Sequence, residues 1–285
     1  MARALNGVAT RRNDFRQARE LLRNLVGKEL KVRYKQSVLG FAWSLVTPLL
    51  MTAIFTTVFA VFLRIPVNDF ASYFLSGYLI WQFFSNSVTS SVGAIVGNGA
   101  LIRKVYFPRE VIPLSLVLSQ AVHLGLALVA MSPLFLYQRG NFLLYLPAFL
   151  LFLVLLLAFT TGVSMLFAAV NVTFRDLQEL TQVIFLAWFY GTPVIYPMFL
   201  VEGSAHPAII WLINANPMTW FVQAFQRILH GVPAQLVEDG SQPPIDGPGW
   251  PDPTNLWVCA AWAIVALGVG WWMFRKRAVT FAKEV

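Results

Sequence analysis

Hydrophobic residues in this chain run in long unbroken blocks rather than alternating with polar ones. Six stretches, residues 41–63, 72–92, 111–136, 142–170, 180–198 and 256–274, contain no Asp, Glu, Lys or Arg. A helix rises 1.5 Å per residue, so about 20 residues cover the roughly 30 Å of a bilayer's hydrocarbon, and each block predicts one transmembrane helix. Residues 14–35 follow a different pattern. Asp14 is a candidate N-cap, Phe15, Ala18, Leu22, Leu25, Val26 and Leu30 share one helical face, and the opposite face is basic. A basic amphipathic helix just before a span predicts an element lying in the membrane interface, its cations on lipid phosphate.

The connection between the fifth and sixth blocks is the longest and has two halves. The first, residues 203–232, carries the apolar run PAIIWLINANPMTWFVQAFQRILH, interrupted at Pro217. It is too broken for a clean span and predicts two short helices dipping into the outer leaflet. The second, residues 233–254, is rich in Pro, Gly and acidic residues and predicts an exposed loop. The fold class is therefore an all-α membrane protein, one domain over residues 1–285, with spans one to five within 41–198 and span six at 256–274.

Charge orients it. Of 21 Lys and Arg, eighteen fall before the first block, in the connections after the second and fourth, and after the sixth. Only Arg64, Arg139 and Arg227 fall on the other side. Basic residues accumulate on the cytoplasmic face, so both termini of this multi-pass protein are expected in the cytosol. The net charge of +8 thus belongs to the membrane surface and not to nucleic acid. Composition agrees: 58% of residues are hydrophobic and 12% charged, against roughly 25% charged in soluble domains. The single Cys259 rules out an intrachain disulfide.

Several chemistries are missing. No phosphate loop of the G-x-x-x-x-G-K-[ST] type occurs, and Gly27-Lys28 lacks both the earlier glycine and the following hydroxyl. No block contains a charged residue, the usual mark of proton relays and ion-coupled carriers, and His123 reads as a packed residue near Gln120. Asn171-Val172-Thr173 has the glycosylation pattern on the cytosolic side, where that modification does not occur, and Gly93 and Gly97 read as a span end. Asp176 and Glu179 fall short of the metal and base ligands a polyprenol-dependent transferase needs, and a channel would show charged rings.

One loop stands out. In GNGALIRKVYFPREVIP, a short amphipathic stretch that stops at Pro108, Leu101, Ile102, Val105, Tyr106 and Phe107 are more apolar than a solvated turn needs, whereas Arg103, Lys104, Arg109 and Glu110 form a polar rim. Such a segment inserts into headgroups or a partner's groove, and the rim favours the partner.

Four blocks, RYKQSVLGFAWSLVTPLL from Arg33, LIRKVYFPREVIPLS from Leu101, NVTFRDLQELTQVIFLAWFYGTPVIYP from Asn171 and NPMTWFVQAFQRIL from Asn216, cover most of the chain in order. Together they resemble the permease subunits of type-two ABC exporters for O-antigen, teichoic acid and related polysaccharides. The resemblance implies a homodimer with two copies of a separate ATPase that binds the ATP and Mg, no cofactor on this chain, and no enzymatic activity of its own. It implies that residues 101–110 form the coupling helix in a groove of that ATPase, and that the helices within 203–232 form an outer gate. The cargo implied is a polyprenyl-pyrophosphate-linked glycan. Arg33, Lys35 and Arg175 near the cytosolic mouth are candidates for its phosphates, since cations grip phosphate oxygens. Trp188, Phe189, Tyr190, Tyr196, Trp211, Trp220 and Phe221 are candidates for a path or gate along which rings meet sugar faces, with an interfacial aromatic belt as the alternative. An exporter of drugs or small lipids is the competing function within transport.

Overall fold

A computed structural model describes residues 19–32, 43–65, 67, 69–104, 107–139, 142–204, 206–231 and 247–281, and among these there is no strand. Helix α1 covers residues 19–32, with Leu22, Leu25, Val26 and Leu30 half-buried and Arg19, Arg23, Lys28 and Lys31 exposed. This is the amphipathic division expected; residues 14–18 and 33–35 of the expected helix lie outside the described residues. There follow α2 (Trp43–Thr56, continued as a π-helix over Thr57–Phe62), α3 (Phe70–Val92), α4 (Ala94–Gly97), α5 (Gly99–Lys104) and α6 (Val111–Arg139). A 3-10 turn at Phe142–Tyr145 leads into α7 (Leu146–Thr173), then α8 (Leu177–Tyr190), α9 (Met198–Ser204), α10 (Pro207–Ala215), α11 (Pro217–Leu229) and α12 (Pro253–Ala278).

Four helical stretches, Leu45–Phe62, Val111–Tyr137, Phe142–Thr173 and Pro253–Ala278, are both long and apolar enough to cross a membrane, so the chain is a multi-pass membrane protein. The other two expected spans differ from these in instructive ways. Helix α3 has the length, 23 residues or ~34 Å, but its sequence is diluted by Ser72, Ser76, Ser87 and Ser91, all buried. It can carry them because it is the central helix, touched by α2, α6, α7, α8 and α11. The block at 180–198 is not one helix. Helix α8 ends at Tyr190 after 14 residues, ~21 Å, because Gly191 and Pro193 open a turn that runs to Pro197. In the connection that follows, Pro217 is the first residue of α11 and not a break inside a helix, since Asn216 caps it.

Two apolar clusters hold the fold. The larger is aromatic: Phe74, Trp81, Phe84, Phe159, Phe185, Phe189, Phe221 and Phe225 are buried together. The smaller joins Ala94, Ile95, Ile102 and Ile112 to Ala168, Ala169 and Val172 of α7 and to Phe274 and Phe281 at the α12 end. Several hydroxyls inside the helices are returned to the backbone, as in Ser76 Oγ to Tyr73 O (2.7 Å), Ser91 Oγ to Ser87 O (2.7 Å) and Thr161 Oγ1 to Leu157 O (2.7 Å).

The closest helix pair is α7 with α12. A Cβ at Gly162 would run into the backbone of Ala266 and Leu267, and one at Gly270 would run into the carbonyl of Gly162. Lipid tails are as apolar as Leu, so helices in a bilayer associate through tight packing of small residues, and this crossing needs both glycines. Gly268, two residues away, meets nothing. Gly270→Ala should therefore lower stability in lipid by about 3 kcal/mol, because backbone cannot yield as a side chain does, whereas Gly268→Ala should stay within about 0.5 kcal/mol of wild type. Thermal unfolding of both variants in nanodiscs checks this, and equal losses would show that the crossing is not the constraint.

Candidate functional site

The ends of the helices define two regions. At one end lie α5, the start of α6, the end of α7, the start of α8 and the end of α12, with Arg103, Lys104, Arg109, Arg175, Arg275, Lys276 and Arg277; this is the basic end. At the far end lie the α2–α3 connection, the α8 terminus and α9 to α11.

At the basic end the loop at 101–110 is attached to the body of the chain. Ile102 is buried in the smaller cluster and Phe107 packs against it, so these two apolar side chains face this chain's own interior. Leu101, Arg109 and Glu110 are half-buried, and Arg103, Lys104 and Pro108 are exposed. Val105 and Tyr106 lie outside the described residues. Glu110 meets Arg275 of α12 (Nε to Oε1, 3.3 Å), and Arg277 donates to Ala169 O and Thr173 Oγ1 of α7, both at 3.3 Å. The second contact places a cation on the end of α7, where the last carbonyls lack helical donors. The loop thus offers a cationic outer surface while its inner face is fixed to α7 and α12. Of the residues considered for phosphate, Arg175 is exposed at the α7–α8 turn beside Asp176, and Arg33 and Lys35 lie outside the described residues.

At the far end Asn216 joins three elements. Its Oδ1 accepts from Met218 N (2.9 Å), capping α11, and from Trp188 Nε1 of α8 (2.7 Å). Its Nδ2 donates to Gly191 O (3.0 Å) and Thr192 Oγ1 (2.9 Å), so all four hydrogen-bonding positions of the amide are used. Around it Thr219 Oγ1 donates to Ile213 O (2.7 Å), Trp220 Nε1 to Asn214 O (2.7 Å) and Gln226 Nε2 to Pro193 O (3.2 Å). The Tyr73 hydroxyl donates to Tyr196 O (3.0 Å) and the Tyr196 hydroxyl to Tyr190 O (3.0 Å), while Ser72 Oγ pairs with His230 Nδ1 (2.8 Å). The irregular backbone after α8 is in this way satisfied by side chains of α3 and α11.

The aromatic candidates separate on this framework. Phe189 and Phe221 are buried in the interior and Trp188, half-buried, packs against it; Trp188 meets Phe84 edge-on at 5.1 Å and Phe159 lies 5.3 Å from Phe221. Trp220 and Tyr196 are half-buried, and Tyr190 and Trp211 are exposed, Trp211 at 71%. The seven are therefore not one surface. Sequence reasoning passed over Asn216 as a site of its own, although Asn-Pro before an apolar run is a cap signal. It also left the Glu110–Arg275 pair unread, because their separation of 165 positions carries no local sign. Among the described residues no three of His, Cys, Asp and Glu come together as metal ligands.

A family model for the ABC-2 type transporter matches residues 20–230, from α1 to the end of α11. This chain belongs to the ABC-2 type transporter family. It is 30% identical over 269 residues to the O-antigen export system permease protein RfbA of Myxococcus xanthus, covering 94% of this chain and 96% of that one. It is 31% identical over 215 residues to the protein of the same name from Klebsiella pneumoniae, covering 75% and 82%. The polysialic acid transport protein KpsM of Escherichia coli is more distant, 22% identical over 223 residues, covering 74% and 82%.

Because Asn216 both caps α11 and satisfies Trp188, Asn216→Ala should cost about 2–4 kcal/mol, the sum of a lost cap and an unsatisfied buried N–H. Asn216→Asp keeps the acceptor but sets a carboxylate oxygen against Gly191 O in place of the amide donor, so it should recover little of the loss. The thermal midpoint and the Trp fluorescence maximum report this; an unchanged midpoint in Asn216→Ala would contradict the role assigned to the amide.

Proposed function

We propose that this chain is the membrane-spanning permease of an ATP-driven exporter carrying an undecaprenyl-linked polysaccharide, of O-antigen or teichoic acid type, across the bacterial cytoplasmic membrane. One observation carries the reading: the similarity to the Myxococcus xanthus O-antigen export permease extends over 94% of this chain, including the basic loop and the α9 to α11 segment. The O-antigen reading takes precedence over polysialic acid because the identities are about 30% in one case and 22% in the other. Drugs or small lipids as cargo gain nothing from these relatives.

In this reading the basic end is cytosolic, as the distribution of Lys and Arg favours. Two copies of the chain form one membrane domain each and stand on two copies of a separate ATPase, which binds ATP and Mg and does the hydrolysis. The exposed Arg103 and Lys104 with Pro108 face the ATPase groove, and the inner residues Ile102 and Phe107 carry its movement into α7 and α12. Closure of the ATPases then displaces these packed helices as rigid bodies. Helices α10 and α11 form the outer gate, with Arg33, Lys35 and Arg175 as the cationic reception for lipid pyrophosphate at the cytosolic mouth.

Deletion of the gene should remove the glycan from the cell surface and leave its lipid-linked form inside, and the wild-type chain should restore it. Arg103→Glu with Lys104→Glu should insert normally yet reduce surface glycan by about tenfold or more, since reversed rim charges repel a complementary groove. Immunostaining of surface glycan alongside quantification of membrane-inserted chain checks this. Normal surface glycan in the deletion strain would overturn the function, and normal export by the double variant would overturn the loop's assignment alone.

A further inference from the structure

Helix α12 leaves one side uncovered, with Ile264, Val265, Val269, Trp271 and Trp272 all exposed. At 100° per residue this side sorts into two neighbouring stripes, Val265, Val269, Trp272 and Lys276 on one and Ile264, Gly268, Trp271 and Arg275 on the other, each within an arc of roughly 60°. Both stripes read the same way toward the basic end: aliphatic surface, then a tryptophan, then a cation. Helix α12 begins at Pro253, and Trp271 lies ~27 Å along the axis from it. That is close to the roughly 30 Å of hydrocarbon in a bilayer, so the two rings fall where acyl chains give way to headgroups.

The cations lie back on these rings. Arg275 Cζ stands 4.9 Å from the Trp271 ring centroid and Lys276 Nζ stands 5.3 Å from that of Trp272. A cation over a ring face is attracted to it and gives up part of its water, while its other side stays open to a further partner. Arg275 also gives its Nε to Glu110 (3.3 Å), which leaves the Nη groups as donors. Lys276 meets no carboxylate among the described residues. Arg277 is the contrast, because it turns inward to Ala169 O and Thr173 Oγ1 at the end of α7. Its place is explained by the helix it caps, whereas Arg275 and Lys276 are exposed on the lipid side of α12.

We infer that Trp271, Trp272, Arg275 and Lys276 form a binding site for an anionic phospholipid in the leaflet at the basic end. The Nη groups of Arg275 and the Nζ of Lys276 take the phosphate oxygens, the indoles flank the glycerol region, and the acyl chains follow the aliphatic part of the two stripes. Charge selects the ligand. Of three consecutive cations only Arg275 faces a carboxylate among the described residues, so a zwitterionic headgroup would bring its own ammonium against a positive site. A second copy of the chain fits worse, since a two-fold interface here would set one basic end against another. The inference requires that α12 span the membrane and is independent of the cargo. Glu110 sits on the same arginine, so the bound lipid lies one side chain away from the loop at 101–110.

The test adds dioleoylphosphatidylglycerol or dioleoylphosphatidylcholine to the full chain purified in a neutral detergent, with native mass spectrometry counting retained lipids and copies of the chain. Wild type should prefer phosphatidylglycerol, and Arg275→Gln with Lys276→Gln should weaken the tightest phosphatidylglycerol about tenfold, as two phosphate contacts are lost. Lys276→Gln alone leaves the Glu110–Arg275 pair in place, and Trp271→Leu with Trp272→Leu leaves the charges in place; each should weaken it about threefold. These two carry the test if the first variant, whose thermal midpoint is measured in phosphatidylcholine, does not fold. Arg103→Gln with Lys104→Gln removes the same charge elsewhere at the basic end and should change the affinity by less than about twofold. Equal weakening by the two charge-removing pairs would overturn the inference, showing a general attraction of the basic end for anionic lipid. So would equal retention of the two lipids by wild type, or displacement of phosphatidylglycerol by inorganic phosphate at the same concentration. A fall in the number of copies per assembly in the α12 variants with lipid binding unchanged would also overturn it and give this face to a second copy.

Discussion

Hydrocarbon offers a polypeptide no hydrogen bonds, and most of this structure follows from that constraint. Long stretches become helices because only there does each N–H find its carbonyl within the same segment. The hydroxyls of Ser76 and Ser91 in α3 and Thr161 in α7 turn back on the preceding turn for the same reason. Irregular backbone is tolerated where other side chains replace the missing bonds. The stretch after Tyr190 is the main case, with Asn216, Gln226 and Tyr73 supplying the partners that lipid cannot.

The same constraint shapes which helices are joined most firmly. Without a hydrophobic driving force between helices in lipid, tight association falls to pairs with interlocked backbones, and α7 with α12 is the tightest among the described residues. The loop at 101–110 is tied to that pair through Ile102, Phe107 and the Glu110–Arg275 contact. An exposed pair of this kind is worth at most about 1 kcal/mol, so the buried Ile102 gives the firmer attachment and the charges set register. At the other end the polar bonds of Asn216 and Tyr73 join α8 and α11 to α3. The chain therefore has two linked groups of helices, one held by glycines and apolar contact, the other by side-chain hydrogen bonds.

Much of this was legible in the residues. Block length and the absence of charge gave the four strongly apolar spans, and the apolar spacing of Leu22, Leu25, Val26 and Leu30 gave α1. The break at Gly191 was less visible, because the apolar run continues through Val194 and Ile195 and hydropathy does not register a turn; Pro193 and Pro197 were the available sign. The loop's apolar residues were read as facing a partner, yet Ile102 and Phe107 pack inward, a distinction that needs α7 and α12 in place. The seven aromatic candidates for a path or gate share no local pattern, and three-dimensional packing divides them between interior and surface.

The central claim, that two copies of this chain form the membrane half of an ATP-driven machine, is tested most directly by purifying the affinity-tagged chain from its native membrane under mild detergent. The account predicts that an ATPase subunit is retained in equal amount, that the assembly has two copies of each, and that its ATP hydrolysis rises when lipid-linked glycan is added. A chain that purifies alone, with no ATP hydrolysis in its fraction and no response to the glycan, would contradict it.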